Sequence, residues 1–324
     1  MRIVRFRTQD TSAPRVGVLD EADVVHALAD GVRVLDLVAS GELLAAATEA
    51  LGTAPVGAVG EVELLAPIET PPSVRDFMAF EQHVLGMGML IEGRETAPDV
   101  WYEQPLHYFS NPATLTGPVG EVPIPPGCRA FDFELEVGAV VGPLTGMPDL
   151  SDLTIEEAAA SIAGYVLLND WSARDLQARE MEGPLGPVKG KDSALSLGPW
   201  LLTADELPGL ATGEGSGVQL RARLDGVLFG SAPLDSMAWS FAEMIAYASR
   251  GSRLSPGDLI GSGTCGDGCL AERWGRQGRD AVPPLAPGAL VELDAGPLGA
   301  TAHRVGAPRP VRQPLAPRRR ADAD

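Results

Sequence analysis

Residues 131–142, with the sequence FDFELEVGAVVG, limit the possible fold more than any other segment of the chain. In a β-strand the side chains alternate between two faces, so Asp132, Glu134 and Glu136 share one face and apolar side chains occupy the other. Successive carboxylates on one face lie roughly 7 Å apart along the strand and repel one another. The apolar VGAVVG that follows indicates a strand inside a sheet. The segment therefore predicts a divalent cation between the carboxylates or, alternatively, an edge strand with an acidic outer face.

A second apolar run, YVLLN, ends directly before Asp170. A side chain at the end of a strand projects into a site more readily than into a core, so Asp170 is a further candidate ligand. Oxygen ligands select a hard cation such as Mg²⁺, Ca²⁺ or Mn²⁺ rather than zinc, and neither segment has a histidine nearby.

The continuation NDWSARDLQARE predicts a helix. The spacings of four and three would place Asp170, Arg174 and Gln177 on one helical face. These side chains could reach the same site as the carboxylates, or Arg174 and Gln177 could belong to a solvated helix.

Two glycine-rich loops carry groups that can bind an anion. Lys189 and Lys191 lie in EGPLGPVKGKDS, where they form a candidate clamp for a carboxylate or enolate oxygen, or are simply solvated. In GSGT, Gly263 and its neighbours can present backbone N–H groups, and Thr264 a hydroxyl, to an anion.

His83 is the candidate general base among the four histidines. It lies in RDFMAFEQHV, seven positions after Asp76, and imidazole titrates near neutral pH. The alternative is a structural histidine. Glu272, which follows an apolar leucine, is a further carboxylate that could face inward.

The pattern of short strands separated by Pro and Gly predicts a β-rich main domain with inserted helices. Residues 1–66 read as a small separate unit that ends at the proline-containing junction APIETPPSVRDF. Asp225-Gly226 predicts a hairpin turn, and Ser240 predicts the N-cap of a helix over 240–250. The Pro- and Arg-rich residues 306–324 predict a disordered tail.

Charge and cysteine content limit the partners. The formal net charge of −19 disfavours nucleic acid and anionic membranes, and no apolar run reaches the roughly 18 residues of a membrane span. The three cysteines are too sparse for a disulfide scaffold, and Cys265 and Cys269 lack the second Cys or His pair of a zinc knuckle. A cytoplasmic protein with a small-molecule partner is therefore expected.

Taken in chain order, RDFMAFEQH, FELEVG, LLNDWSARDLQ, GPVKGKD, GSGT and LAERW resemble the fumarylacetoacetate hydrolase family. The resemblance runs through about 70–275, and NDWSARDxQ together with the ExE strand is its most specific part. It implies an α+β, mainly β fold, in which a mixed β-sandwich roll over 67–305 follows the small N-terminal α/β domain. It also implies a Mg²⁺ or Ca²⁺ site, with Mn²⁺ as a further possibility, and a homodimer.

The same resemblance implies a role for each matched residue. The metal ligands would be Asp76, Glu134, Glu136 and Asp170, with Asp132 outside the ligand set. His83 would activate water and Glu272 would orient it, while Arg174, Gln177 and Lys191 would stabilise developing negative charge. Tyr108 and Thr264 would hold the substrate carboxylate. The chain departs from the eukaryotic members around Tyr108, where PLHYFSNP replaces a GYHGR-type context, and at Met181, where they carry a second tyrosine.

The implied function is metal-dependent hydrolysis of a C–C bond in a β-diketone or acylpyruvate-type acid. A decarboxylase, hydratase or tautomerase of 2-oxo acids such as oxaloacetate is the alternative on the same scaffold. A noncatalytic binding module is a third reading, for which a broken base or electrophile set would be expected.

Overall fold

The computed structural model describes residues 1–93, 95–147, 149–183, 185–313 and 315, and within them the chain forms twenty β-strands and eight α-helices. The first ten strands are β1 (Arg2–Thr8), β2 (Thr11–Leu19), β3 (Val24–Ala27), β4 (Pro55–Ala58), β5 (Glu63–Leu64), β6 (Val74–Phe77), β7 (His107–Ser110), β8 (Leu115–Thr116), β9 (Val119–Pro123) and β10 (Phe131–Asp132). The others are β11 (Leu135–Val141), β12 (Ile162–Asp170), β13 (Ser172–Ala173), β14 (Leu195–Leu197), β15 (Leu201–Thr203), β16 (Gln219–Leu224), β17 (Val227–Pro233), β18 (Leu259–Gly261), β19 (Leu290–Asp294) and β20 (Ala300–Gly306). The helices are α1 (Val34–Ser40), α2 (Leu43–Ala50), α3 (Glu81–Glu92), α4 (Asp99–Glu103), α5 (Ile155–Ala160), α6 (Arg174–Glu180), α7 (Phe241–Ser249) and α8 (Leu270–Gln277).

The apolar strands predicted to be internal form the middle of a thirteen-stranded mixed sheet. Its main path runs β4-β3-β2-β1-β15-β12-β11-β18-β6-β7, so β11 is hydrogen-bonded on both sides. A second sheet runs β17-β16-β19-β20-β9, and β10 pairs with β13. The α+β, mainly β fold class is thereby confirmed. The alternative of an edge strand with an acidic outer face is wrong, because β11 is internal and the carboxylates of residues 131–137 are buried.

The alternating segment is two strands rather than one, because the chain leaves the ladder at Phe133 and Glu134. There the backbone N–H of Glu134 donates to the side chain of Asn169 (3.0 Å) instead of to a strand partner. The interruption changes where the carboxylates go: Asp132 belongs to β10, whereas Glu136 belongs to β11. Asp132, Glu134 and Glu136 are all buried.

The first strands continue the same main sheet, since β1 pairs with β15 in antiparallel register. Two short helices, α1 and α2, follow these strands and are separated at Gly41, where φ is +77°. The boundary near residue 66 stays a prediction.

Two local predictions are confirmed by backbone geometry. Asp225 and Gly226 both have positive φ (49° and 78°), as a type I′ hairpin turn between β16 and β17 requires. Ser240 caps α7, and its side chain accepts the N–H of Glu243.

In the tail predicted to be disordered, Pro314 and residues 316–324 lie outside the described residues. Among the described helices, none combines the length and the apolar character needed to cross a lipid bilayer.

Candidate active site

Five neighbouring strands of the main sheet bring the candidate ligands together. Asp76 on β6 lies opposite Tyr108 on β7 and opposite Gly261 on β18. Glu136 lies on the next strand, β11, and Asp170 ends β12 beyond it. With Glu134, which lies just before β11, these side chains form what we call the acidic pocket: Asp76, Glu134, Glu136 and Asp170.

The acidic pocket is buried, and several of its oxygens lack donors. Each of the four carboxylates is at most 4% exposed. One oxygen each from Asp76, Glu134 and Asp170 lie within 4.8 Å of one another. Asp76 Oδ1, Glu136 Oε2 and Asp170 Oδ1 are buried and find no hydrogen-bond partner among the described residues. Because a buried acceptor without a donor costs free energy, three such oxygens in one pocket make it a candidate site for a cation.

Gly261 leaves the space in which two of these oxygens lie. A Cβ at this position would come within 2.3 Å of Asp76 Oδ1 and 3.4 Å of Glu136 Oε2. Any larger residue would therefore displace Asp76. An all-oxygen, carboxylate-rich set of this kind suits a hard divalent cation, so the residues present fit Mg²⁺, Ca²⁺ or Mn²⁺.

Lys191 and Arg174 supply the positive charge of the pocket, and both are buried. Lys191 Nζ donates to Glu134 Oε2 and to Asp170 Oδ2, the latter at 2.8 Å. Arg174 donates from Nη2 to Glu134 Oε1 (2.6 Å) and from Nη1 to Gln177 Oε1 (3.2 Å). Four carboxylates thus share two cations, one of which also binds Asp132, so the cations cannot neutralise all four of them.

The helix predicted from NDWSARDLQARE begins only at Arg174. Asp170 does not share its face, because that residue still belongs to β12. The strand positions Asp170 and the helix positions Arg174 and Gln177. The predicted strand-end position of Asp170 is therefore confirmed, and the predicted shared helical face is wrong.

The lysine loop is folded onto α6 by a residue that sequence reasoning missed. Glu180 accepts the backbone N–H groups of three consecutive residues, Val188, Lys189 and Gly190. Gly190 is needed there, since a Cβ would lie 2.6 Å from the Cβ of Gln177. Of the two candidate lysines only Lys191 enters the pocket, because Lys189 is exposed and pairs with Asp192.

His83 on α3 and Glu272 on α8 form a buried dyad. His83 Nδ1 lies 2.9 Å from Glu272 Oε1, and Glu272 Oε2 accepts the N–H of Asp267 at 2.9 Å. A carboxylate can only accept, so the neutral imidazole carries its proton on Nδ1 and presents the lone pair of Nε2. That Nε2 lies 3.9 Å from Glu134 Oε1, at the wall of the acidic pocket. Cys269 Sγ lies 3.8 Å from Nδ1, the ring nitrogen that also faces Glu272.

The pKa values of the carboxylates in the pocket are shifted in different directions. Burial, reinforced by Asp170, raises the pKa of Asp76 to about 7. Burial and neighbouring carboxylates also raise the pKa of Glu136 well above its usual range. Burial acts in the same direction on Glu134, but Arg174 and Lys191 outweigh it and lower that pKa. Glu134 therefore stays ionised, while Asp76 and Glu136 repel one another unless a proton or a cation joins them.

The predicted substrate-binding residues line the same cavity. Tyr108 directs its hydroxyl to Asp76 Oδ2 (2.7 Å) and contacts Asp170 Oδ2, and its single proton can serve only one of them at a time. Thr264 Oγ1 donates to Glu136 Oε1 over 3.3 Å. Gly263 has φ +75°, and a Cβ there would lie 2.1 Å from the carbonyl oxygen of Phe77.

The pocket opens into a cavity of about 410 Å³ that has an apolar outer wall. Beyond the polar residues, this wall consists of Phe77, Met78, Met87, Leu90, Ala178 and Met181, with Arg279 also contributing. Phe77 and Met78 come from the RDFMAFEQH segment, whereas Met87, Leu90 and Ala178 carry no sequence signal and are identified by the cavity that they line.

Two protein-family models match successive parts of the chain. Residues 73–306 match a family model described as "Fumarylacetoacetate (FAA) hydrolase C-terminal", and residues 1–67 match "Rv2993c-like, N-terminal". The chain is 30% identical over 265 residues to the fumarylacetoacetase of Arabidopsis thaliana, covering 68% of this chain and 62% of that protein. The chain thus spans less than two thirds of the length of that relative.

Solved structures of two differently named proteins resemble the whole chain. A probable 2-hydroxyhepta-2,4-diene-1,7-dioate isomerase from Mycobacterium abscessus superimposes with a TM-score of 0.70 at 25% identity, covering 96% of this chain and all of that one. The maleylpyruvate hydrolase of Sphingobium sp. SYK-6, in complex with manganese(II) and pyruvate, gives a TM-score of 0.69 at 21% identity, with 95% and 100% covered. The second similarity, at that identity, concerns the fold alone.

Proposed function

The chain belongs to the fumarylacetoacetate hydrolase family, and we propose that it is a metal-dependent hydrolase that cleaves a C–C bond in a β-diketone or acylpyruvate-type acid. The observation that supports this most directly is the buried His83–Glu272 dyad at the wall of the acidic pocket. Hydrolysis needs a base that can deprotonate water, whereas decarboxylation and tautomerisation need no attacking water.

We propose that Asp76, Glu134, Glu136 and Asp170 hold the cation, which would be Mg²⁺ or Ca²⁺, or Mn²⁺. The three oxygens without donors support Asp76, Glu136 and Asp170 as ligands. Glu134 is already engaged on both oxygens by Arg174 and Lys191, so it could contribute only a further lone pair. When bound, such an ion polarises a coordinated carbonyl and offsets negative charge in the transition state.

His83 would act as the general base. Glu272 holds the imidazole in the tautomer whose Nε2 is free to accept a proton. Water that loses a proton to Nε2 attacks one carbonyl carbon of the substrate. The bond to the neighbouring carbon then breaks, and its electron pair forms an enolate that is protonated on release.

Lys191 and Arg174 would stabilise that enolate. Two hydrogen bonds of Lys191 Nζ go to Glu134 and Asp170, which leaves the third N–H for a substrate oxygen. Arg174 is held in place by Asp132 through Nε at 2.9 Å. Loss of one such donor is expected to cost on the order of 3 kcal/mol in the transition state.

The outer wall of the cavity suits a substrate with an apolar spacer. The methionine and leucine side chains there offer no hydrogen bonds, and Met181 cannot bind a distal acid group. Arg279 is the charged residue of this outer wall, and we propose that it faces the distal end of the substrate. A compact acid with one end at the acidic pocket and an apolar middle fits this arrangement.

A decarboxylase, hydratase or tautomerase of 2-oxo acids such as oxaloacetate is the second candidate. It is favoured by the 25% identity to a chain described as a probable isomerase. Decarboxylation and tautomerisation also form enolates, for which Lys191 and Arg174 are equally suited, but they do not need His83 to activate water. Hydration does consume water, so for a hydratase His83 would keep its role as the base.

A panel of acylpyruvates, fumarylacetoacetate-like diketones and oxaloacetate tests both candidates with the Mg²⁺-loaded protein. We expect two acid products from the diketones. His83→Ala should lower their turnover by about 10²–10⁴-fold, as expected for loss of a general base, while Mg²⁺ affinity measured by calorimetry stays nearly unchanged. Carbon dioxide from oxaloacetate, or equal turnover by His83→Ala, would support the second candidate instead.

A further inference from the structure

The thiol of Cys269 completes a triangle of metal-binding atoms behind the dyad. His83 Nδ1 and Glu272 Oε1 are 2.9 Å apart, and Cys269 Sγ lies 3.8 Å from the first and 4.0 Å from the second. All three side chains are buried, His83 at 6% exposure and the other two at 0%. The acidic pocket lies on the opposite edge of the same imidazole, facing Nε2.

This triangle has the dimensions of one face of a zinc tetrahedron. Bonds of about 2.3 Å to sulfur and about 2.0–2.1 Å to nitrogen and oxygen place tetrahedral ligand atoms roughly 3.3–3.6 Å apart. The three separations of 2.9, 3.8 and 4.0 Å surround that range, so side-chain shifts of a few tenths of an ångström would equalise them. We propose that His83, Cys269 and Glu272 form a zinc site distinct from the acidic pocket, and that zinc bound there switches the dyad off.

The ligand chemistry separates the two sites. One thiolate, one imidazole and one carboxylate suit a borderline-soft ion such as Zn²⁺, with a water molecule as the fourth ligand. The acidic pocket offers oxygen alone and suits hard ions. An excess of Mg²⁺ should therefore fill the acidic pocket without displacing zinc from the thiol site.

The inhibitory effect follows from the tautomer of His83. Zinc on Nδ1 forces the neutral imidazole to carry its proton on Nε2. Nε2 then becomes a donor and cannot take a proton from water, and Glu272 is withdrawn from its orienting role. Binding also requires Cys269 to lose its proton, so zinc should bind more weakly as the pH falls.

The sequence alone argues against zinc, because Cys265 and Cys269 have no second ligand pair nearby. Folding supplies the missing ligand from 186 residues away, on α3. Cys269 is the N-cap residue of α8 and Glu272 lies in the first turn of the same helix, so their spacing is fixed locally.

Cobalt(II), which takes the place of zinc and absorbs in the near ultraviolet when a thiolate is bound, tests the site without reference to activity. The full-length protein in excess Mg²⁺ should develop this band with one equivalent of Co²⁺, and Zn²⁺ should abolish it. Cys269→Ser should lose the band. Cys128→Ser and Cys265→Ser are the matched controls that should keep it, and Asp76→Asn should also keep it because it alters only the acidic pocket.

Activity gives a second readout, which rests on the proposed role of His83. Zinc should stop turnover of the Mg²⁺-loaded protein, and Cys269→Ser should remain active while needing at least about tenfold more zinc for inhibition. Stabilisation of that variant by Mg²⁺ would show that it is folded. A wild-type protein without the cobalt band, or a Cys269→Ser protein that retains it, would overturn the thiol site whatever the reaction proves to be.

Discussion

Asp132 and Glu136 lie four residues apart on one segment, and both are completely buried, but their surroundings differ. Asp132 accepts four hydrogen bonds, from the backbone N–H groups of Phe133, Leu270 and Ala271 and from Arg174 Nε. Glu136 accepts one side-chain hydrogen bond, from Thr264, and its Oε2 has no partner among the described residues.

The difference is between a carboxylate whose oxygens are satisfied by the protein and one whose oxygens are not. Asp132 joins β10 to the first turn of α8 and to α6, and it needs nothing further. Asp258 is a second buried carboxylate of the satisfied kind, because it pairs with Arg75 at 3.2 Å. Arg75 is the residue directly before Asp76. Among the buried carboxylates of the described residues, Asp76, Glu136 and Asp170 of the acidic pocket each keep an oxygen without a donor, as expected if these oxygens bind a ligand.

The largest expected effect is on the stability of the metal-free protein. Asp132→Asn should lower the free energy of unfolding by about 3 kcal/mol, because it removes the negative charge beside Arg174 and places an NH2 group where Oδ2 accepts from Arg174 Nε and from the N–H of Ala271. Glu136→Gln should change it by less than about 1 kcal/mol, since no strong donor is lost. Urea unfolding in the presence of a chelator measures both, and equal losses would remove the distinction.

The stabilisation by Mg²⁺ should be affected in the opposite order, more by Glu136→Gln than by Asp132→Asn. Mg²⁺ at 100 times its dissociation constant should stabilise the wild type by about 2.7 kcal/mol. Asp132→Asn should retain this increment on its lower baseline, whereas Glu136→Gln should lose most of it. Thermal unfolding with and without Mg²⁺ gives the increments, and a full increment in Glu136→Gln would argue against that ligand.

The pH dependence of the metal-free protein should follow Asp76. Its pKa in the folded state, about 7, lies above 3.8, the ordinary value of an aspartate, so the folded state binds more protons between these values. This contribution to stability is full below about pH 4 and is lost as the pH rises through 7, at no more than about 1.4 kcal/mol per pH unit. Asp76→Asn should flatten the profile, and saturating Mg²⁺ should remove the same trend in the wild type. If the wild type and Asp76→Asn had the same pH profile of stability, the pH dependence could not be assigned to Asp76.

The smallest effect is expected at Thr264, which makes only a long hydrogen bond to Glu136. Thr264→Val should cost less than about 1 kcal/mol in stability and leave Mg²⁺ affinity within a few-fold. If Thr264 holds the substrate carboxylate, KM should rise while the Mg²⁺ increment stays constant. An unchanged KM would restrict Thr264 to its contact with Glu136.

The sequence determined much of this arrangement, because strand alternation, apolar runs and a specific set of family segments act locally. They predict the metal-ligand candidates, the pair of His83 and Glu272, and the cationic side chains of Lys191 and Arg174. The β-rich fold class predicted from them is confirmed. The strand-end position of Asp170 is also confirmed, but its place on a helical face with Arg174 and Gln177 is wrong, since a run of residues does not show where a strand ends and a helix begins.

Only the tertiary structure decided which carboxylates are satisfied and which are not. Asp132 and Glu136 have the same chemistry in the sequence, and their difference arises because α8 directs its first N–H groups at one and not at the other. The approach of Cys269 to His83 is likewise invisible in the sequence, because 186 residues separate them and only the packing of α3 on α8 brings them together. Packing decides which donors and ligands approach from distant parts of the chain, and local sequence patterns do not show this.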